Sequence, residues 1–181
     1  MNIAFSGKMR SGKTTAAFFL VEEFGMWKLS FAGKLKDTCV DLFGKERGLS
    51  REVLQGFGSY CRSLESDVWI NYVVRTVEAK PSREFVVDDL RYKNEAAALE
   101  KLGFYIIRIE RPEVERLALA KELPGYHDGA ENHISETDLD DYKFHYSFYN
   151  TGSFGVYEHN VKQMYSSLKE INEGKSKEVK P

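Results

Sequence analysis

One segment near the start of the chain constrains its fold more than any other. Residues 7–14 read Gly-Lys-Met-Arg-Ser-Gly-Lys-Thr, which fits the pattern Gly-x-x-x-x-Gly-Lys-Ser/Thr. The apolar run 2–6 before it predicts a buried strand, and residues 13–24 predict a helix. Glycines let backbone N–H groups converge on phosphate oxygens, and a helix N-terminus adds positive potential. Strand, loop and helix together favour a phosphate-binding loop over a glycine-rich turn that only caps a helix.

The loop predicts the groups that would hold a nucleoside triphosphate. The Lys13 side chain would reach the β- and γ-phosphates, and the Thr14 hydroxyl would bind Mg²⁺. The residues that we expect to surround the phosphates are Gly7, Lys8, Arg10, Ser11, Gly12, Lys13, Thr14 and Thr15.

The rest of the chain alternates short apolar runs with helical patterns. Further strands are predicted at 27–31, 84–88, 104–109 and 144–149. Helices are predicted at 34–43, from Ser50, from Asp67, at 94–102, from Pro112 and at 157–171. This alternation predicts one three-layer α/β/α domain with a central parallel sheet, in which ligands bind beyond the carboxyl ends of the strands.

Two acids follow the predicted strand at 84–88. Mg²⁺ needs an oxygen ligand besides the Thr14 hydroxyl, and either Asp88 or Asp89 could support the ion through water. Each acid alone could also cap a helix. The sequence leaves open which of the two acts.

Basic residues indicate what kind of acceptor the loop would serve. A hydroxyl acceptor calls for a carboxylate base, whereas a phosphate acceptor needs cations to position it. Cations stand at the expected places, namely Lys36, Arg62, Arg91, Arg111 and Arg116. Arg91 lies two residues past the strand-end acid and offers a bidentate fork for phosphate. Arg62 and Arg116 could each instead lie on a solvated helix face.

Composition excludes several classes of function. Lys plus Arg is 26 and Asp plus Glu is 28, a balance that argues against stable nucleic-acid binding. The apolar run 16–21 is far too short to cross a membrane, and the first residues do not form a signal peptide, so we expect a cytoplasmic protein. Cys39 and Cys61 are expected to be reduced thiols. A guanine-reading Asn-Lys-x-Asp motif is missing from the sequence, which favours a small-molecule kinase over a GTPase.

Several segments resemble the phage-type deoxynucleoside monophosphate kinases. The run 89–96, Asp-Leu-Arg-Tyr-Lys-Asn-Glu-Ala, is similar to the family's Asp-Val-Arg-Phe-Pro-Asn-Glu segment. Phe-Ala-Gly-Lys-Leu-Lys at 31–36, Leu-Gln-Gly-Phe-Gly at 54–58 with Arg62 and Trp69, His-Ile-Ser-Glu at 133–136 and Asn-Thr-Gly at 150–152 match further family segments in order. The similarity covers residues 2–170.

The resemblance implies ATP-dependent, Mg²⁺-dependent phosphorylation of a deoxynucleoside monophosphate on a P-loop NTPase fold. It implies a core at 1–32, 80–110 and 143–172, a helical monophosphate-binding region at 33–79, a lid at 111–136 and a frayed tail at 174–181. A homodimer is also expected.

The resemblance also implies site residues. Lys13, Arg62, Asp89 and Arg91 are expected to act in transfer, and Thr14, Asp88 and Asp89 at the metal. ATP would further meet Arg111, Arg116, Asn150 and Gly152. The acceptor would meet Lys36, Gln55, Arg62, Trp69, Arg91, Asn94, Glu95 and His133. Trp69 could stack on the acceptor base, but its apolar helix face favours core packing.

Two alternatives stay open at this point. Another P-loop kinase with a phosphorylated acceptor, such as a phosphomevalonate kinase, would use a similar set of cations. A regulator that binds ATP and transfers nothing would share the phosphate loop.

Overall fold

The predicted strands form one five-stranded sheet in the computed structural model, which describes residues 1–122 and 132–178. The strands are β1 (Asn2–Ser6), β2 (Trp27–Leu29), β3 (Phe85–Val87), β4 (Phe104–Glu110) and β5 (Tyr146–Tyr149). Their order in the sheet is β2-β3-β1-β4-β5. β1 pairs in parallel with both β3 and β4, and β4 pairs in parallel with β5. The prediction of an α/β fold with a central parallel sheet is confirmed.

Nine helices occur within the described residues. They are α1 (Lys13–Phe24), α2 (Phe31–Phe43), α3 (Lys45–Gly48), α4 (Arg51–Leu64), α5 (Val68–Glu78), α6 (Lys93–Lys101), α7 (Glu113–Lys121), α8 (Ile134–Thr137) and α9 (Phe154–Glu178). Within the described ranges, no helix is both long and apolar enough to cross a bilayer.

The main hydrophobic core contains buried side chains of the central strands. Ile3 and Phe5 of β1 are fully buried and pack with Leu20 of α1 and with Val161 and Tyr165 of α9. Strand side chains alternate between the two faces of a sheet, so these residues fix one face against α1 and α9. α6 packs against β4.

The chain divides into two compact units. The first comprises Met1–Lys28 and Glu84–Pro181, and it holds the phosphate loop and most of the sheet. The second, Leu29–Arg83, is helical, and Leu35, Cys39 and Trp69 are buried in its core. The helical region expected at 33–79 falls within this second unit.

Several element boundaries differ from the sequence-based predictions. β2 ends at Leu29 and α2 begins at Phe31, so the predicted strand at 27–31 was too long. α4 continues through Gly56 and Gly58, and α9 continues through Gly174 to Glu178. A single glycine weakens a helix but does not by itself end it.

The lid expected at 111–136 is only partly described. α7 begins just after Pro112, and α8 lies near the end of the expected lid. Residues 123–131 and 179–181 lie outside the described residues.

Candidate active site

The phosphate loop folds so closely against its neighbours that two positions require glycine. Gly7 has φ +146°, and a Cβ there would lie 2.3 Å from the Ile109 carbonyl oxygen. Gly12 has φ +108°, and its Cβ would lie 2.5 Å from Asn150 Nδ2. The two glycine positions of the motif therefore need glycine for both backbone conformation and space.

Arg10 is the one non-glycine residue of positive φ in the described ranges, with φ +63°. Such backbone outliers cluster at ligand-binding sites, because the surrounding structure must hold them in place. The Arg10 Nε donates a hydrogen bond to the Leu119 carbonyl oxygen of α7 at 3.2 Å. The Arg10 side chain, expected to contact ATP, thus also connects the loop to α7 of the expected lid.

α1 begins directly after the loop and leaves its first N–H groups available. No side chain caps α1, whose N-cap residue is Gly12. The first N–H groups of a helix have no partner within the helix, and the helix dipole favours an anion there. Thr14, in this first turn, is exposed, and Thr15 is half-buried. This end of α1 can take phosphate oxygens.

Lys13 is buried and turned back onto the loop. Its Nζ donates to the carbonyl oxygens of Gly7 at 2.5 Å and Lys8 at 2.9 Å. Burial, together with the nearby positive charges of Arg91 and Arg108, lowers the pKa of Lys13 to about 7. An anion bound beside Lys13 would reverse this effect, since opposite charge favours the ammonium form.

Two side chains from the far end of the first unit support the loop. Asn150 Nδ2 donates to the Ser11 carbonyl oxygen at 2.9 Å, and the Tyr157 hydroxyl donates to the Gly12 carbonyl oxygen at 3.0 Å. Burial raises the pKa of Tyr157, so it remains a hydroxyl donor. Asn150, which was expected to meet ATP, therefore positions the loop through this hydrogen bond. In the sequence, Tyr157 is only the first position of the helix predicted at 157–171, and no pattern there indicates its contact with Gly12.

The expected metal residues supply oxygen ligands at the same edge of the sheet. Asp88 is buried at the end of β3 and pairs with Lys28 Nζ at 2.8 Å, while Asp89 is half-buried. Both carboxylates act electrostatically on Lys13. With the Thr14 hydroxyl they match the donors that Mg²⁺ takes alongside waters and substrate phosphates, so these residues fit that ion. Mg²⁺ would add positive charge against the phosphates.

Within residues 1–122 and 132–178, no three or more His, Cys, Asp and Glu side chains form a metal-binding group. A binding site made by protein alone is thus not found there. Mg²⁺ sites that use one or two carboxylates and take their other ligands from water and substrate need no such group.

Arg91 lies between β3 and α6, and Glu95 fixes its backbone. The Glu95 Oε2 accepts from the backbone N–H of Arg91 at 2.9 Å and of Tyr92 at 3.1 Å. The Arg91 Nη1 donates to the Glu136 carboxylate and to the Ser135 carbonyl oxygen, the latter at 3.3 Å. Glu95 thus positions Arg91, and any direct contact of Glu95 with a substrate stays a prediction.

Asn94 and His133 have local roles in the structure. Asn94 Oδ1 accepts from the Glu95 N–H at 3.0 Å, and His133 Nδ1 accepts from the Ser135 N–H at 3.2 Å, which caps α8. Both were expected to bind the acceptor, and that part of the expectation stays a prediction.

The two arginines expected in the lid have different environments. Arg111 is half-exposed and pairs with Glu115 at 3.2 Å. Arg116 is only 4 % exposed, which rules out the solvated helix face as its position. Its Nη1 is buried without a hydrogen-bond partner among the described residues. A buried guanidinium with an unused donor is costly unless a ligand meets it.

The remaining expected residues differ in exposure. Gly152 has φ +84° and follows the Asn150 turn. In the second unit, Lys36, Gln55 and Arg62 are exposed on their helices. Trp69 is 9 % exposed and packs in the core of that unit with Leu35 and Cys39, as its apolar helix face favours.

An ion network centred on the buried Arg108, beside the loop, was not predicted from the sequence. Arg108 of β4 donates to Glu110 at 2.7 Å and to Asp140 at 3.0 Å, and Asp140 also pairs with Lys8 at 3.3 Å. A charged residue inside the apolar run 104–109 is the signal that could have identified Arg108. The network links Lys8 of the loop to the segment that follows α8.

The sequence is similar to proteins of two viruses. It is 31 % identical over 164 residues to the uncharacterized protein ORF76 of Ictalurid herpesvirus 1 (strain Auburn), covering 86 % of this chain but 63 % of that protein. It is 29 % identical over 142 residues to a putative deoxynucleotide monophosphate kinase of Acanthamoeba polyphaga mimivirus, covering 61 % of this chain and 74 % of that protein. No family model matches the chain.

Solved kinases share the fold at low sequence identity. Shikimate kinase from Aquifex aeolicus matches with a TM-score of 0.59 at 18 % identity, covering 96 % of this chain and 99 % of that one. Dephospho-CoA kinase from Campylobacter jejuni matches with a TM-score of 0.57 at 14 % identity, covering 92 % and 96 %. The order of the strands and these two neighbours show the fold: the chain has the same α/β fold, with a central parallel sheet, as these kinases.

Proposed function

We propose that the chain is a deoxynucleoside monophosphate kinase, which transfers the γ-phosphoryl group of ATP to a monophosphate and yields ADP and the diphosphate, with Mg²⁺. The observation that carries this proposal is that two cationic side chains from different parts of the chain, Lys13 and Arg91, lie at the same site. Arg91, which follows β3, lies beside the phosphate loop that carries Lys13, because Glu136 accepts from both Arg91 Nη1 and the Met9 N–H of the loop. One cation suits the donor triphosphate, and the other suits a second phosphorylated substrate.

The chemistry of the acceptor supports a phosphate over a hydroxyl. A phosphate monoester is largely ionised near neutral pH because its second pKa is about 6, so it needs no base to become a nucleophile. It needs charge and orientation, which a guanidinium supplies with paired donors. Arg91 is held for this by Glu95. The mimivirus relative's description as a putative deoxynucleotide monophosphate kinase agrees with this assignment.

The test is acceptor-dependent ADP formation across a panel of monophosphates. The purified chain is assayed with MgATP and each deoxyribonucleotide and ribonucleotide monophosphate, with phosphomevalonate, shikimate and dephospho-CoA as other acceptors. We expect ADP to form only with nucleoside monophosphates. The panel also establishes which base is accepted and whether ribose is tolerated.

Matched lysine variants separate the site from general effects of charge. Lys13→Met is expected to lower turnover by about 100-fold or more, because a donor aimed at the transferring group is lost. Lys162→Met removes a lysine that pairs with Glu23 on the surface, and its turnover should equal that of the unchanged chain.

The other outcomes of the panel would each contradict the proposal. ADP formed only with phosphomevalonate, shikimate or dephospho-CoA would assign a different acceptor. Tight ATP binding with no transfer to any acceptor would indicate a regulator. Equal loss in the two lysine variants would remove Lys13 from its assigned role.

A further inference from the structure

The Glu136 carboxylate lies between the phosphate loop and Arg91. Its Oε2 accepts from the Met9 backbone N–H at 2.5 Å, and its Oε1 accepts from Arg91 Nη1. The residue is 9 % exposed, so both contacts are made largely out of water. One buried anion therefore binds both the loop expected to take the donor and the arginine expected to take the acceptor.

The short helix α8 presents this carboxylate from a fixed position. His133 caps α8, and the Glu136 N–H donates to the His133 carbonyl oxygen at 2.8 Å. The Ser135 carbonyl oxygen, next in the chain, also accepts from Arg91 at 3.3 Å. These contacts account for the His-Ile-Ser-Glu segment as a unit that places Glu136 against two partners.

A second carboxylate binds the loop close by. Asp140 pairs with Lys8 of the loop and with Arg108 of β4, as described above. In this structure, Glu136 and Asp140 therefore occupy groups that could bind phosphate. These groups are the Met9 N–H and the side chains of Arg91, Lys8 and Arg108. A carboxylate and a phosphate oxygen are both anions and compete for the same donors.

We propose that Glu136 is an exchangeable counterion: it holds Arg91 and the Met9 N–H in the nucleotide-free chain, and a bound nucleotide phosphate displaces it, which releases Arg91 to the acceptor. The roles of the two substrates rest on the proposed function. Because one carboxylate blocks both positions, donor and acceptor binding are positively coupled. By linkage, each substrate increases the affinity for the other by the same factor.

The first test measures anion binding to the loop itself. Magnesium tripolyphosphate and a non-hydrolysable ATP analogue are titrated calorimetrically into the unchanged chain, Glu136→Gln and Asp141→Asn. Glu136→Gln is expected to bind both anions about tenfold more tightly, because the ligand no longer has to break a charge-assisted contact. Asp141→Asn removes one charge from the same segment, where Asp141 pairs with the exposed Lys93, and its affinity should stay within about twofold.

The second test measures the coupling. In the unchanged chain the ATP analogue should increase the affinity for the accepted monophosphate several-fold, and in Glu136→Gln this factor should fall to about one. Glu136→Asp keeps the charge but is too short to reach both partners. If Glu136→Gln does not fold, a tightened tripolyphosphate affinity in Glu136→Asp supports the proposal, and an unchanged affinity overturns it.

The results that would overturn this inference are distinct from those that would overturn the proposed function. Equal or weaker anion binding in Glu136→Gln, or an unchanged coupling factor, contradicts the role of Glu136. Tripolyphosphate lacks a base and a sugar, so its binding tests the displacement whatever the acceptor is. If Glu136→Gln binds tripolyphosphate more tightly but the unchanged chain transfers phosphate to no monophosphate, the proposed function is wrong and the role of Glu136 is still supported.

Discussion

Replacing Lys13 by methionine should change how the stability of the chain depends on pH. Lys13 is buried, and its pKa falls from the ordinary 10.5 to about 7 in the folded chain. Between these two values the unfolded chain binds one more proton than the folded chain. Folding stability therefore rises with pH across this window and is lost as pH falls through the folded pKa. Methionine has a similar length and no proton, so the variant lacks this dependence.

The size of the effect follows from the two pKa values. Each pKa unit corresponds to about 1.4 kcal/mol, so stability relative to the variant should rise by up to about 1.4 kcal/mol per pH unit above pH 7. Between pH 7 and pH 9 the difference in the free energy of unfolding should therefore change by about 2–3 kcal/mol. The two hydrogen bonds to loop carbonyls do not remove the effect, since a neutral amine can still donate both.

Urea unfolding of both proteins at pH 7, 8 and 9 measures this difference. Other titrating groups contribute equally to the two proteins and cancel when one curve is subtracted from the other. We expect the free energy of unfolding of the unchanged chain to rise relative to that of Lys13→Met at each step from pH 7 to pH 9. A difference that stays constant with pH would show that Lys13 is not desolvated, and the reasoning about the loop would fail.

Three further predictions concern the same loop. Binding of the ATP analogue at pH 8 should take up close to one proton, because the bound phosphates restore the positive charge of Lys13. Calorimetric titrations in buffers of different ionisation enthalpy measure this proton uptake. Binding heats that do not depend on the buffer would contradict the prediction. Tyr157→Phe should lower the free energy of unfolding, measured in urea, by about 1 kcal/mol. Only the hydroxyl contact to the Gly12 carbonyl is lost, and that carbonyl still accepts from the Ala16 N–H. A loss above about 3 kcal/mol would contradict this prediction. Gly12→Ala should lower turnover by about 100-fold, because the Cβ would displace the supporting side chains, whereas Gly174→Ala, which has open space in α9, should leave it unchanged. Similar rates for the two alanine variants would argue against the close packing of the loop.

The parts of the fold that depend on local pattern could be predicted from the sequence. The phosphate loop follows from residue types at fixed spacing, and the alternation of apolar runs with helical patterns is sufficient for a parallel sheet. The end of β2 at Leu29 was not predicted, because Phe31 extends an apolar run and also suits the start of a helix. Local propensity does not decide between the two, and packing does.

Contacts between distant parts of the chain could not be predicted. Tyr157 meets Gly12 across 145 residues, and Glu136 meets Met9 across 127 residues. No spacing rule connects such pairs, since only the folded sheet brings the ends of its strands together. Arg116 shows the same limit, because its burial depends on what packs over α7 and not on the helix itself.

A crystal structure of the chain with a non-hydrolysable ATP analogue, Mg²⁺ and the accepted deoxynucleoside monophosphate tests the central claim most directly. We expect the β- and γ-phosphates against Lys13 Nζ and the N–H groups of the loop, and the monophosphate against Arg91. Lys13 should then have left the carbonyl oxygens of Gly7 and Lys8, to which it donates in the structure described above. A triphosphate bound elsewhere, or Lys13 still on those carbonyls with both ligands present, would contradict the account.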